Sequence, residues 1–131
     1  MYPDDPTRLR HIRDAINEAI GFIKGKQRRD LDADRQLYLS LCKEIEIIGE
    51  AASRITTAKK KAYPEIPWSQ MVGMRNWLIH GYFMVSKDTL WSTITNELPK
   101  LKESLKTVSE GRKTRKKNSK SLLVKTLVKG A

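Results

Sequence analysis

Cysteine is nearly missing from this chain: Cys42 stands alone among 131 residues. One thiol cannot close a disulfide within the chain, which points to a reducing cytoplasmic setting rather than an oxidising one. Cys42 itself lies in an apolar-periodic stretch and reads as a small core residue, not a reactive thiol. Long hydrophobic runs are also lacking. No apolar segment approaches the ~18 residues that a membrane span needs, so no membrane partner is expected. The opening Met1-Tyr2-Pro3-Asp4-Asp5-Pro6 has neither the basic nor the apolar region of a signal peptide. No repeat stands out, and no stretch reads as a strand.

Acidic residues are absent from one part of the chain. Residues 111–131 contain eight of the 26 Lys+Arg and no Asp or Glu, so most of the net charge of +11 sits in a tail. Residues 1–110 carry only +3 and form the expected domain, with 111–131 as a basic, flexible extension. A solvated tail is the preferred reading, since blocks of like charge are commonly disordered, and an RNA contact is the other. Whole-chain charge therefore does not make the body of the protein a nucleic-acid binder.

What is present is helical periodicity. Hydrophobic residues make up 39% of the chain, enough for a modest core. The first helix is expected to open at Asp5-Pro6, a capping carboxylate followed by proline in the first turn. Leu9, Ile12, Ile16, Ala19 and Ile23 form its stripe, and Gly25 stops it. After a polar link at 27–30, a long second helix is predicted from about Asp34 to Lys61, with Tyr38, Leu41, Ile45, Ile48, Ala52 and Ile55 inward. Tyr63-Pro64-Glu65-Ile66-Pro67 connects it to a short third helix from about Trp68 to Ile79 or His80. Ser86 with Asp88 caps a fourth, whose stripe is Leu90, Ile94, Leu98, Leu101, Leu105 and Val108, kinked at Pro99. Four amphipathic helices with short links predict an all-α, up-and-down four-helix bundle.

Chemically capable side chains concentrate in the third helix, Met71-Val72-Gly73-Met74-Arg75-Asn76-Trp77-Leu78-Ile79-His80-Gly81-Tyr82. At roughly 100° per residue, Asn76 and His80 fall about 40° apart, on one face, whereas Arg75 and His80 fall about 140° apart. Arg75 and His80 reach one cleft only if the Arg bends around, the chain unwinds at Gly81, or a second copy of the helix faces the first. RNA cleavage by side chains alone needs a base for the 2′-hydroxyl proton and an acid for the leaving oxygen. Histidine, with an ordinary pKa of about 6.5, does either. Arginine's forked donors match the phosphate oxygens that gather charge. Asn76 is placed to orient His80 or to hold a phosphate oxygen. Spacing alone equally fits a histidine that merely caps a helix end.

Elsewhere, Glu46, Glu50 and Arg54 recur every fourth residue. They read either as an intrahelical ion pair, Glu50 with Arg54, or as support for Arg75 from a neighbouring helix. Gly49 costs helix stability, roughly 1 kcal/mol against Ala, so its use is close approach of another helix. Trp77 reads as dimer contact, core, or a platform for a base. Trp68 and Trp91 read as packing and His11 as a boundary residue.

Arg75, four residues, His80, one residue, Tyr82 resembles the signature of HepT-like toxins of the HEPN superfamily. Leu9-Arg10-His11-Ile12, Glu46-Ile47-Ile48-Gly49-Glu50-Ala51-Ala52, Tyr63-Pro64-Glu65-Ile66-Pro67-Trp68 and the Leu98-Pro99 step resemble further family segments, in order. The resemblance spans residues 8 to about 108. It implies a HEPN-like bundle that forms a homodimer, with both Arg–His motifs meeting in an interface cleft. It implies a metal-independent endoribonuclease without cofactor, the toxin of a type II/VII-like toxin–antitoxin pair. The implied partners are RNA and an MNT-type nucleotidyltransferase antitoxin, which transfers AMP to the motif tyrosine, here Tyr82. Catalytic roles then fall on Arg75, His80 and Asn76, with Glu46 and Glu50 behind them. The alternative is a non-catalytic HEPN subunit that binds nucleotide or RNA within a nucleotidyltransferase complex.

Overall fold

Apolar periodicity becomes packing around one central helix. The computed structural model describes residues 4–80 and 86–108, the side chains of 78–80 excepted. Its elements are α1 (Asp5–Phe22), α2 (Asp30–Ala33), α3 (Arg35–Ser53), α4 (Thr57–Ala62), α5 (Trp68–His80), α6 (Lys87–Ser92), a π-helical turn (Thr93–Glu97) and α7 (Leu98–Leu105). The fold is all-α, and no strand occurs among the described residues. Helix α3 packs against α1 on one side and α5 on the other, while α7 and the π turn lean on α1. Four long helical runs, α1, α3, α5 and α6–α7, make the predicted bundle. No helix among the described residues is long and apolar enough to cross a membrane.

The stripes read from the sequence are the core. Leu9, Ile12, Ile16 and Ala19 from α1 are sealed against Leu41, Ile45, Ile48 and Ala52 from α3. Leu90, Ile94, Leu98, Leu101, Leu105 and Val108 close the other side. Ile23 and Tyr38, both expected inward, are only partly buried, and Leu37 takes the buried place beside Tyr38. Arg13 on α1 donates to the backbone carbonyls of Leu105, at 3.0 Å, and Val108. The Leu105 carbonyl also accepts from Val108 N–H at 3.0 Å, so Arg13 adds a second donor there and ties the end of α7 to α1.

Three details correct the sequence reading. The cap of α1 is Asp4, not Asp5; its carboxylate accepts from Thr7 N–H at 3.1 Å. Asp5 is instead a long-range brace, accepting from the Thr56 backbone N–H at 3.0 Å and its hydroxyl at 2.6 Å. That brace explains the second correction: the expected Asp34–Lys61 helix is broken at residues 54–56 into α3 and α4. Ile55 turns into the core, 4% exposed, and Thr56 restarts the helix as an extended cap accepting from Lys59 N–H. Third, Pro99 does not simply kink the last helix. Its missing N–H and its ring upset the turn before it, and the chain answers with the wide turn Thr93–Glu97, in which Leu98 N–H reaches back to the Thr93 carbonyl. Thr93 and Thr95 hydroxyls each donate to a carbonyl four residues back, at 2.8 Å, which further bends such helices.

Glu44 on α3 is an acid in the wrong place, 5% exposed, with one carboxylate oxygen lacking a partner. Burial, reinforced by the neighbouring Glu18 carboxyl, pushes its pKa up to about 7 from 4.5. The folded chain therefore holds this proton between about pH 4.5 and 7 while the unfolded chain has lost it. Its stabilising contribution is complete below about 4.5 and disappears as pH rises to about 7. The loss should be on the order of 1–3 kcal/mol. Urea midpoints at pH 5 and pH 8 should show that decline, and Glu44→Gln should flatten it by stabilising the protein at pH 8. An equal decline in both proteins would show that Glu44 ionises freely.

Candidate functional site

The site is built where α3 and α5 come closest. Gly49 makes that approach possible: a Cβ there would collide with Arg75 Cβ and lie 2.9 Å from the Met71 carbonyl oxygen. The close approach read from Gly49 in the sequence is thus made by α5, at the arginine of the motif. One residue further along α3, Glu50 accepts from Arg75 Nη1 at 2.5 Å. Its other oxygen accepts from Arg54, at 3.0 Å from Nε and 2.9 Å from Nη2. The two readings of Glu50 therefore coexist in one carboxylate. Arg75 and Arg54 together hold its pKa below the ordinary glutamate value, Arg75 first.

The other edge of the Arg75 guanidinium is held by its neighbour in sequence. Asn76 Oδ1 accepts from Arg75 Nε at 3.1 Å and Nη2 at 2.7 Å. Residues at i and i+1 on a helix do not normally face one another; the length of the arginine closes the gap. Glu50 and Asn76 thus grip the guanidinium from two sides, and the Arg75 side chain as a whole is 22% exposed. One carboxylate serves two guanidiniums, so the cluster keeps a net positive charge. Asn76 is exposed, and its amide nitrogen has no partner among the described residues.

Glu46, the other predicted support, does not reach Arg75. It lies 3.4 Å from Lys43 in an exposed pair, worth a few tenths of a kcal/mol. Helix α5 extends through His80, as the sequence reading required; the His80 side chain and all of Tyr82 lie outside the described residues, as does the tail from residue 109. Trp77 is 37% exposed and so is not core within one chain. It edges a groove of about 360 Å³ lined by Ile45, Met74, Leu90 and Thr93. Trp68 is packing, its indole N–H donating to the Tyr63 carbonyl at 3.0 Å. Cys42 is half-buried and burial raises its thiol pKa, the opposite of an activated nucleophile. Among the described residues no three His, Cys, Asp or Glu side chains gather as a metal site.

An all-helical bundle that holds an arginine at a helix crossing, five residues before a histidine on the same helix, defines the class. The family model for HepT-like ribonucleases matches residues 12–108. The chain belongs to that family. It is 32% identical to a candidate RNase of Methanocaldococcus jannaschii, over 76% of this chain and 92% of the relative. It is 37% identical to a candidate ribonuclease HepT of Thermococcus cleftensis, over 72% of this chain and 86% of that protein. A candidate RNase of Caldanaerobacter subterraneus is 32% identical over 80% of this chain and 94% of its own length. No solved structure matches the chain.

Filling the Gly49 notch should be costly. Gly49→Ala gains up to about 1 kcal/mol of helix propensity, but the collision with backbone and Cβ atoms cannot be relieved by turning a flexible side-chain tip. Overpacking of this kind typically costs about 1–3 kcal/mol. The expected outcome is a net loss in urea-measured stability; a stabilised Gly49→Ala protein would show that the two helices stand further apart.

Proposed function

We propose that the protein is an endoribonuclease acting without metal, in which two copies of α5 face one another and cut single-stranded RNA. The observation that carries this reading is the preset Arg75 guanidinium, gripped by Glu50 and Asn76, on a helix that runs on to His80. An unbroken helix sets Arg75 and His80 about 140° apart. One chain would then offer them to different directions, and a second copy supplies the complementary pair across a two-fold axis. The partly exposed Trp77 supports that contact, being a large apolar side chain left beside the motif.

In this reading His80 of one copy takes the 2′-hydroxyl proton, and His80 of the other returns a proton to the leaving 5′-oxygen. The attacking 2′-oxygen bonds to phosphorus as the 5′-oxygen leaves, giving a cyclic phosphate. Arg75 stabilises the negative charge that builds on the phosphate. A guanidinium already held by Glu50 and Asn76 spends little on reorganisation at that moment. Asn76 acts through Arg75, and its outward amide N–H groups are further donors for phosphate oxygens.

The family and the Arg75–His80–Tyr82 signature support a toxin whose partner is an MNT-type nucleotidyltransferase antitoxin. Transfer of AMP to Tyr82 would form a phosphodiester on its phenol oxygen and release pyrophosphate from ATP. Bulk and negative charge would then stand two residues from His80, where an RNA phosphate must sit.

The test is cleavage of mixed RNA by the pure full-length protein in excess chelator. Cleavage is expected, and Arg75→Ala and His80→Ala should each reduce it by roughly 100-fold or more without loss of helicity. Tight RNA binding with no cleavage would replace the enzyme with the non-catalytic binding subunit. Full activity in both variants would remove the site.

A further inference from the structure

A second cleft opens on the opposite flank of Glu50, between α1 and α3. It has a volume of about 220 Å³ and is lined by Arg8, His11, Lys43, Glu46, Ile47 and Glu50. Arg8 and His11 stand one turn apart on α1, and Lys43, Glu46 and Glu50 climb the facing side of α3. The sequence reading left Arg8 without a role and gave His11 only a boundary position.

Charge accounting within the cleft singles out Arg8. Lys43 is matched by Glu46 at 3.4 Å. Both oxygens of Glu50 are occupied by Arg75 and Arg54. Arg8 has no carboxylate partner among the described residues, and its Nε is shut off from water with no hydrogen-bond acceptor. Arg8 as a whole is only partly buried, but an N–H shut off from water without an acceptor is costly. An arginine kept in that state at the wall of a cleft is suited to an anionic ligand that supplies the missing oxygen.

We propose that this cleft is a second phosphate-binding site, which takes the backbone of single-stranded RNA one or more nucleotides away from the bond held at Arg75. Arg8 supplies the forked donor, Lys43 a mobile point charge and His11 a further N–H donor at the rim. Glu50 separates the two sites and prevents Arg8 and Arg75 from repelling each other across α3. The contacts are to phosphate, so the cleft adds affinity and register without reading bases. The identity of the ligand rests on the ribonuclease reading; the existence of an anion site does not.

The experiment titrates a fluorescent single-stranded RNA into the full-length His80→Ala protein over a salt series, while cleavage is measured separately with the unmodified protein. Arg8→Ala in that background should weaken binding about tenfold and make the dependence of log K on log salt shallower by about 0.7, the loss of one phosphate contact. Arg8→Lys, which keeps the charge, should recover most of both; Lys43→Ala should have a smaller effect in the same direction. In the cleaving protein Arg8→Ala should raise KM and leave kcat within about twofold. Circular dichroism melts exclude misfolding, and Lys43→Ala, on an exposed side chain, provides a second variant. Unchanged affinity and salt slope in Arg8→Ala and Lys43→Ala would overturn the cleft while leaving the ribonuclease intact. So would an effect confined to binding of a protein partner, which would make the cleft a protein-docking surface. Loss of RNA affinity in Arg8→Ala, in a protein that cuts no RNA, would uphold the cleft and remove the ribonuclease.

Discussion

The contact between Gly49 on α3 and Arg75 on α5 is the constraint on which the site depends. The missing side chain lets two helix backbones close together. That closeness brings the next residue of α3, Glu50, within 2.5 Å of the guanidinium. With a larger residue at 49, α5 would be pushed outward and the carboxylate would have to bridge a wider gap. Backbone packing therefore sets electrostatics here: a glycine chosen for space determines how an arginine is paired, oriented and exposed.

From that contact the chemistry spreads along α3. Glu50 is shared by Arg75 on α5 and Arg54 on its own helix, and it also forms a wall of the cleft that contains Arg8. A partly exposed ion pair adds little to stability, typically 0–1 kcal/mol. Its value is positional: the guanidinium is held in one place between Glu50 and Asn76. Binding to a preset donor costs less conformational entropy than gathering a free side chain.

Much of the fold was legible because burial follows a period of 3.6 residues. Ile12, Ile16, Leu41, Ile45, Ile48, Leu98 and Leu101 were all read as inward, and all are. What escaped required a partner distant in sequence. Nothing local says that the α3 periodicity ends at Ser53; the break is held by Asp5, fifty-one residues away, although the paired Thr56 and Thr57 were a capping signal that could have been weighed. Asp4 and Asp5 are adjacent carboxylates, and only the tertiary fold decides which caps α1 and which braces Thr56. The π-helical turn before Pro99 is likewise a choice among several responses to one missing N–H.

The site was legible in part. Arg75 and Glu50 were singled out from their residue types and spacing, and the bundle places them in contact. The bond from Arg75 to Asn76 was not foreseen, because neighbours in sequence diverge on a helix, and Arg8 gave no sign until α1 and α3 were set side by side. The central functional claim is that neighbouring copies of α5 pool their side chains, and diluting the unmodified chain with an inactive one measures it most directly. Unmodified and His80→Ala chains, unfolded together and refolded in varying ratio, should lose RNA cleavage as the square of the unmodified fraction, since a mixed pair owns one histidine where the mechanism uses two. A loss linear in the unmodified fraction, from chains shown to have paired, would contradict the account.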